Sequence, residues 1–270
     1  MTDKTFVLGL GAQKAGTSWL HRYIATAPGT DTGPFKEYHV WDGMHIAECR
    51  GFRVGMHQRD RPETALRGRM QDDPAAYFDH FEGLLAQPGI RLTADITPSY
   101  AGLPAPVLAA IRAGFAGRGI AFRAVFLMRD PVERCISQFG MAERRRQAAG
   151  RVRSLTHEET VAELTGPAYA FRTRYDLTVA AIAAAIPDGE VHLDVHEVMF
   201  RPANVAALSR FLGLRPRPDF AARRIHAAPA PNDLPDAARR EVARFYAGVY
   251  RWAAARLPWI EEVWPGFRWL

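Results

Sequence analysis

Residues 11–20, GAQKAGTSWL, join a buried β-strand predicted over Thr5 to Leu10 to a helix predicted over Gly16 to Ala27. A glycine-bounded turn between a strand and a helix presents free backbone N–H groups at the positive end of the helix. Glycine also allows the backbone angles that such a turn needs. The segment therefore predicts a cradle for a phosphate or sulfate group.

The order of residues in this loop differs from that of nucleoside triphosphatases, which reads G-x-x-x-x-G-K-[ST]. Thr17 stands where that motif has its lysine, and Lys14 comes three residues earlier. Only three of the 35 basic residues are lysines, so a lysine inside the loop is informative. The loop keeps the anion cradle but lacks the phosphate-binding lysine and the magnesium chemistry of a P-loop nucleotide kinase. Such a kinase is the first alternative function, and a non-catalytic nucleotide-binding scaffold is the second.

The remaining pattern alternates strands with helices, which favours an α/β fold with a central parallel sheet covered by helices on both faces. Asp130-Pro131 has the N-cap and first-turn signature of a helix. Residues 51–73 are polar, arginine-rich and without a pattern, which indicates an insertion or a mobile loop. We expect one domain over residues 1–270. The other predicted strands are Arg91 to Asp95, Phe122 to Met128 and Val191 to Val195, and the other helices are Tyr175 to Ile186, Pro202 to Leu212 and Leu234 to Leu257.

Composition limits the class of protein. The chain has 270 residues, of which 48% are hydrophobic and 24% are charged, as in an ordinary globular protein. Its net charge of +6 favours anionic partners. Two cysteines, Cys49 and Cys135, make no disulfide framework and fit a reducing compartment. No apolar run approaches the roughly 20 residues of a membrane span, and no signal peptide is evident, so we expect a cytoplasmic protein.

A second motif lies over residues 126–139, FLMRDPVERCISQF, where a predicted strand ends at an arginine and a helix begins at a proline. Arg129 and Ser137 are eight residues apart in this motif. A guanidinium group can bind a phosphate through two hydrogen bonds, and a hydroxyl group can add a third. The pair predicts a second phosphate contact.

Both motifs resemble those of sulfotransferases that use 3′-phosphoadenosine 5′-phosphosulfate (PAPS). Lys14 to Leu20 is similar to the family's phosphosulfate loop, K-[ASTG]-G-T-[TS]-W-L, and residues 126–139 are similar to its 3′-phosphate motif. The resemblance implies a P-loop NTPase-like sulfotransferase fold, PAPS as donor, adenosine 3′,5′-bisphosphate (PAP) as product and no metal. It also implies donor contacts from Lys14, Ala15, Gly16, Thr17, Ser18, Trp19 (at the adenine), Arg129 and Ser137, and from Arg223 and Arg224, which stand about where the family's basic loop closes over the nucleotide.

The acceptor side is indicated by residues 35–42, FKEYHVWD. A carboxylate beside a lysine and a histidine can take a proton from a hydroxyl or amine group. The segment resembles the K-E-x-H-F-F-D stretch of heparan-type carbohydrate sulfotransferases. That resemblance implies Glu37 as the base, Lys36 as a charge-neutralising group, and His39 and Asp42 beside the acceptor. His39 is the rival base, because small-molecule sulfotransferases use a histidine.

Residues 93–100, TADITPSY, resemble the E-K-[ST]-P-x-Y segment of the same carbohydrate enzymes. Ile96 stands in place of their lysine, which weakens the case for a polysaccharide. Tyr100 either lines the acceptor cleft or packs in the core. The acceptor candidates are a sugar hydroxyl, an amino-lipid headgroup, and a small alcohol or amine metabolite.

Two further clusters have alternative interpretations. The first is a group of arginines over residues 144–153, which forms either a solvated helix end or a site for an acidic acceptor or membrane headgroups. Peripheral membrane contact therefore stays open. The second is a group of tryptophans near the end of the chain, which indicates packing or an interface. No recognised nucleic-acid module and no His/Cys metal spacing occurs. The clusters are Arg144, Arg145, Arg146, Arg151 and Arg153, and Trp259, Trp264 and Trp269.

Overall fold

A sheet of four parallel strands forms the centre of the molecule. The computed structural model describes residues 4–221 and 234–270. The strands lie in the order β2-β1-β3-β4, and each neighbouring pair is parallel, which confirms the predicted α/β fold. Helices cover both faces, and this burial explains the largely apolar sequences of β1 and β3. The strands are β1 (Thr5–Gly11), β2 (Leu92–Ile96), β3 (Ala121–Met128) and β4 (Val191–Val195).

The helices connect the strands and continue beyond the last one. In the described residues they are α1 (Thr17–Ala25), α2 (Trp41–His45), α3 (Pro62–Asp72), α4 (Pro74–Ala86), α5 (Ala105–Ala116), α6 (Pro131–Ala148), α7 (His157–Thr165), α8 (Pro167–Ala170), α9 (Tyr175–Ala185), α10 (Pro202–Leu212), α11 (Pro218–Ala221), α12 (Asp236–Phe245), α13 (Ala247–Arg256) and α14 (Ile260–Val263). The predicted start of α6 is confirmed, because Asp130 caps the helix through the N–H group of Glu133 and Pro131 is its first residue.

Aromatic side chains fill the core between the sheet and the helices of one face. Phe6 on β1 stacks on Phe115 of α5, with ring centroids 3.7 Å apart, and meets Phe81 of α4 edge-on at 4.8 Å. The buried cluster extends without a break to Trp264, which is 1% exposed. Packing is thus confirmed for this tryptophan.

Two predictions about helices were wrong. The mobile-loop interpretation of residues 51–73 is wrong where α3 lies, since this helix begins at Pro62 and packs on α4, and the insertion interpretation stays a prediction. Proline at the first helical position and an acidic residue directly after it were the helix signals in this polar stretch. The single helix expected over Leu234 to Leu257 is divided at Tyr246, whose fully buried side chain lies between α12 and α13.

The strand order brings three segments to one edge of the sheet. After β1 the chain continues to β2 on one side, and β3 lies on the other side, so β1 is at the point where the direction of winding changes. Crevices for ligands form at the carboxyl ends of the strands around such a point. The ends of β1, β2 and β3 lie in residues 11–20, 93–100 and 126–139, so these three motifs meet there.

Candidate active site

The loop after β1 is shaped to expose backbone N–H groups. Gly16 precedes α1 with a φ of 104°, and no side chain caps the first turn of the helix. A Cβ atom at Gly16 would lie 2.8 Å from the sulfur of Met199, and one at Gly11 would collide with the carbonyl oxygen of Pro98. Only glycine fits both positions. The positive end of α1 is consequently open to an anion.

Two candidate catalytic residues have left-handed backbone conformations. Among the described residues other than glycine, only Lys14 and His39 have positive φ values, of 70° and 54°. This conformation costs a residue with a Cβ atom about 1–2 kcal/mol and occurs often at functional sites. The rest of the fold therefore stabilises both segments in conformations that they would not adopt alone.

Arg129 and Lys14, from the two motifs predicted to bind phosphate or sulfate, lie together. The Arg129 Nη1 group donates a hydrogen bond of 3.1 Å to the carbonyl oxygen of Lys14. Tyr175 donates to the carbonyl oxygen of Arg129 at 2.8 Å and fixes the end of β3. Burial lowers the pKa of Lys14, and the nearby charges of Arg144, Arg129, Lys36 and Arg145 lower it further. This edge of the sheet is strongly electropositive.

The acceptor segment contains a chain of hydrogen bonds centred on His39. Its Nδ1 atom is 2.7 Å from Asp42 Oδ2, and its Nε2 atom is 3.2 Å from Glu37 Oε2. Glu37 also accepts a hydrogen bond of 3.0 Å from Lys36 Nζ. Asp42 is fully buried and accepts a second hydrogen bond from Ser99. Each nitrogen of the imidazole ring thus faces a carboxylate.

These contacts shift the pKa of both central groups. Burial acts to raise the pKa of Glu37, but the hydrogen bond from His39 and the Lys36 charge outweigh it and lower the value to about 2. Burial acts in the opposite direction on His39, and the hydrogen bonds to Asp42 and Glu37 outweigh it, so its pKa is raised. Phe52 stacks on the ring of His39 with centroids 3.6 Å apart. Both shifts favour the charged pair, an imidazolium beside an ionised carboxylate.

Residues that follow β2 form hydrogen bonds to the backbone of the acceptor segment, residues 35–42. Tyr38 N–H donates to Thr97 Oγ1 at 2.9 Å, and Val40 N–H donates to Tyr100 Oη at 3.2 Å. Thr97, Tyr100 and Tyr77 in turn donate to the buried carboxyl group of Asp95. Burial raises the pKa of Asp95 to about 6 against these three hydrogen bonds. The network fixes the backbone on both sides of His39.

Helix α3 also forms hydrogen bonds to the backbone of the acceptor segment. The sequence did not indicate these contacts. Arg67 Nε donates to the carbonyl oxygen of Tyr38 at 2.7 Å, and Gln71 Nε2 donates to that of His39 at 2.8 Å. Contacts from a side chain to a distant carbonyl group have no pattern in a sequence. Only the helix itself was detectable, from Pro62 and Glu63.

His196 is another residue at the loop that the sequence did not single out. It follows β4 and its Nδ1 atom lies 3.4 Å from the position of a Cβ atom on Gly16. Burial, with the charges of Arg129 and Lys14, lowers its pKa to about 4. His196 is thus a neutral group beneath the loop. The signal in the sequence that could have indicated His196 is its position directly after a strand, which it shares with Arg129.

The other predicted donor residues lie in or near the loop. Ala15 and Thr17 are buried, and Ser18 is half-buried in the first turn of α1. Ser137 lies on α6 and is half-buried. Arg223 and Arg224 lie outside the described residues.

Three predicted ligand contacts do not agree with the burial of the side chains. Trp19 is 2% exposed, stacks on Tyr23 and donates its indole N–H to the carbonyl oxygen of Phe220, so an adenine contact stays a prediction. Tyr100 and Asp42 are both 0% exposed. Direct acceptor contact stays a prediction for these two residues, and their burial favours the packing alternative for Tyr100. They act on the site through the backbone of Val40 and through His39.

Comparison with solved structures identifies the fold. A sulfotransferase from Alicyclobacillus acidocaldarius is similar with a TM-score of 0.59 and 18% sequence identity, over 93% of this chain and 95% of that chain. The chain has the fold of a sulfotransferase. The sulfotransferase domain from the curacin biosynthetic pathway matches with a TM-score of 0.48 and 14% identity, over 93% of this chain and 98% of that chain. No protein-family model and no curated protein matches the sequence.

Over residues 4–221 and 234–270, no helix has the length and hydrophobicity to cross a membrane. In the same residues, no group of three or more His, Cys, Asp or Glu side chains is arranged to hold a metal ion.

The contacts of His39 generate a prediction. In the Asp42→Asn variant, one of the two carboxylates that stabilise the imidazolium is lost, so the pKa of His39 will fall. The measurement is an NMR titration of the His39 ring proton, assigned by comparison with a His39→Gln spectrum. Asp188→Asn, which removes an exposed carboxylate outside the site, is the control. An unchanged pKa of His39 in Asp42→Asn would mean that the Asp42 contact does not stabilise the charged ring.

Proposed function

We propose that this protein transfers a sulfuryl group from PAPS to a hydroxyl or amine group of an acceptor. The single observation that carries the proposal is the hydrogen bond of 3.1 Å between Arg129 and the carbonyl oxygen of Lys14. It joins the two motifs that resemble the phosphosulfate loop and the 3′-phosphate motif. A donor with charge at both ends fits such a pair of sites.

The donor side would act by positioning and by stabilising charge. Lys14 and the open N-terminus of α1 would bind the phosphosulfate group, and Arg129 with Ser137 would bind the 3′-phosphate. PAPS supplies an activated sulfuryl group. Transfer reactions of this kind depend mainly on alignment and charge stabilisation. Lys14 is suited to stabilise the charge that develops on the phosphate oxygen of the leaving nucleotide.

The bond changes balance without a further reactant. The acceptor oxygen or nitrogen forms a bond to sulfur, and the bond between sulfur and the bridging oxygen of the donor breaks. PAP leaves with the electron pair of that bond. The proton of the acceptor passes to the Glu37–His39 pair.

Within this pair we propose Glu37 as the group that meets the acceptor, with His39 as the alternative. The Glu37 side chain is 29% exposed and that of His39 is 11% exposed. A carboxylate with a pKa of about 2 is a weak base, and Lys36 is one cause of that low value. A sulfuryl group beside Lys36 would compete for its ammonium group. Binding of the donor would then raise the proton affinity of Glu37.

Binding of nucleotides separates this function from that of a kinase. We expect PAP to bind tightly without Mg²⁺, and ATP with Mg²⁺ to bind weakly, because Thr17 occupies the position of the kinase lysine. Isothermal titration calorimetry with each nucleotide measures this. Turnover of labelled PAPS with a mixture of acceptors then separates an enzyme from a nucleotide-binding scaffold. Preference for ATP with Mg²⁺ would contradict the proposal.

Lys14→Ala should lower kcat by about 10²–10³-fold or more, since a preorganised charge-stabilising donor is lost. Lys4→Ala removes the same charge from an exposed position at the start of β1 and should leave kcat unchanged. Both variants are compared by labelled-PAPS turnover and by thermal unfolding. Near-normal turnover in Lys14→Ala would remove Lys14 from the chemistry.

The pH profile of kcat/KM distinguishes the two bases. If Glu37 is the base, it is already ionised on both sides of the His39 titration, so activity does not rise with pH through the raised pKa of His39. If His39 is the base, activity rises through that pKa. A decrease in activity at high pH can come from deprotonation of Lys14. The Lys14→Arg variant identifies this contribution, because it moves only the Lys14 limb of the pH profile to higher pH. Glu37→Gln should abolish transfer and leave PAP binding intact; loss of PAP binding would place Glu37 in the nucleotide site instead.

A further inference from the structure

The arginine cluster after α6 consists of two groups with different surroundings. Arg146 and Arg153 form ion pairs with Glu143 and Glu163, which tie the end of α6 to α7. These arginines are structural. By contrast, neither Arg144 nor Arg145 forms an ion pair or a side-chain hydrogen bond within residues 4–221 and 234–270.

Arg144 lies on the same face of α6 as Ser137. Arg144 comes seven residues after Ser137, which is two helical turns, or about 10 Å along the same face. Arg146 comes nine residues after Ser137 and is on the opposite face, where its glutamate partners lie. The face that carries Ser137 therefore continues to an arginine without a carboxylate partner.

Arg144 and Arg145 belong to the cluster of charges around Lys14. They are close enough for their charges to lower its pKa, together with those of Arg129 and Lys36. Within the described residues, Lys36 is the only one of the five with a carboxylate partner, Glu37. Uncompensated like charges destabilise a folded protein, so their accumulation favours the binding of anions.

A buried guanidinium group adds to the positive potential on the acceptor side. Arg172 is 8% exposed, and its hydrogen bonds go to neutral groups, the carbonyl oxygen of Ala168 and the sulfur of Cys49. Its Nε atom is buried without a hydrogen-bond partner. The charges of Asp42 and Glu37 act on Arg172, so it lies near the acceptor segment.

The bound donor would leave part of this charge uncompensated. In the proposed function, Lys14, the α1 N-terminus and Arg129 with Ser137 bind the two charged ends of PAPS. Arg144 and Arg145 are then surplus to the donor. Both add to the positive charge around Lys14, where the sulfuryl group would be, and this charge would attract an anionic group on an acceptor placed to attack it.

We propose that the acceptor is a small alcohol or amine that carries a phosphate group, and that Arg144 and Arg145 bind this phosphate. The inference rests on the proposed function and narrows its acceptor. A guanidinium group recognises a phosphate through paired hydrogen bonds, which gives both affinity and orientation. The phosphate would hold the acceptor hydroxyl or amine beside Glu37 and would itself stay unchanged in the reaction.

The test measures binding of phenyl phosphate and of benzyl alcohol to the PAP-saturated protein by calorimetry. We expect phenyl phosphate to bind at least tenfold more tightly than benzyl alcohol. Arg144→Gln/Arg145→Gln should weaken phenyl phosphate binding by about 10- to 100-fold, the effect of losing a charged hydrogen bond. Arg210→Gln/Arg251→Gln removes two exposed arginines from α10 and α13 and should change nothing.

Each other outcome has a defined meaning. Equal binding of the two probes, or an equal loss in the control variant, overturns the inference. Loss of phenyl phosphate binding in Lys14→Ala but not in the double variant also overturns it, since the probe then occupies the sulfuryl position. If PAP fails to bind at all, the proposed function fails first, and this is seen before the second probe is added.

A lipid headgroup is the other source of the same phosphate chemistry, and vesicles distinguish it. The wild type and the double variant are sedimented with phosphatidylcholine vesicles that contain phosphatidylglycerol. We expect no binding that depends on Arg144 and Arg145. Vesicle binding that requires them, without their effect on phenyl phosphate, would overturn the small acceptor in favour of a membrane surface. Thermal unfolding of both variants checks that the fold is intact.

Discussion

The hydrogen bond from Arg129 to the carbonyl oxygen of Lys14 joins the two loops at the carboxyl ends of β1 and β3. It depends on the parallel pairing of these strands, which brings both loops to the same edge of the sheet. It also depends on a backbone that is left-handed at Lys14 and open at Gly16. Strand order, loop shape and positive charge are therefore parts of one constraint. Every proposed donor contact requires that this junction stay in place.

The acceptor side is built differently, because its chemistry lies on a segment without regular structure. Residues 36–40 gain their order from side chains of β2, of the turn after it and of α3. Asp95 supports this order, since its buried carboxyl group accepts hydrogen bonds from Thr97 and Tyr100, which bind the backbone of the segment, and from Tyr77. The opposite pKa shifts of Glu37 and His39 follow from the order imposed on them. The donor loop is thus shaped by glycine and a helix end, and the acceptor segment by a buried polar network.

The sequence indicated the parts of this arrangement that have local signals. Apolar runs predicted the four strands, Asp130-Pro131 predicted the start of α6, and the spacing of Lys14, Arg129 and Ser137 indicated two anion sites. Contacts between distant residues had no such signal. The support from Arg67 and Gln71, the burial of Tyr100 and the position of His196 all depend on tertiary packing. Helix α3 within residues 51–73 was not predicted, because the polarity of this stretch was given more weight than the helix-start signal at Pro62.

The stacking of Phe52 on His39 determines how protons can travel at this site. One face of the imidazole ring is covered by the phenyl ring, and Nδ1 is turned inward to the buried carboxylate of Asp42. The remaining nitrogen faces Glu37, which is the more exposed of the two groups. Glu37 thereby connects the ring to solvent. In the proposed function, a proton taken up by the pair would therefore leave through this carboxylate before the next cycle begins.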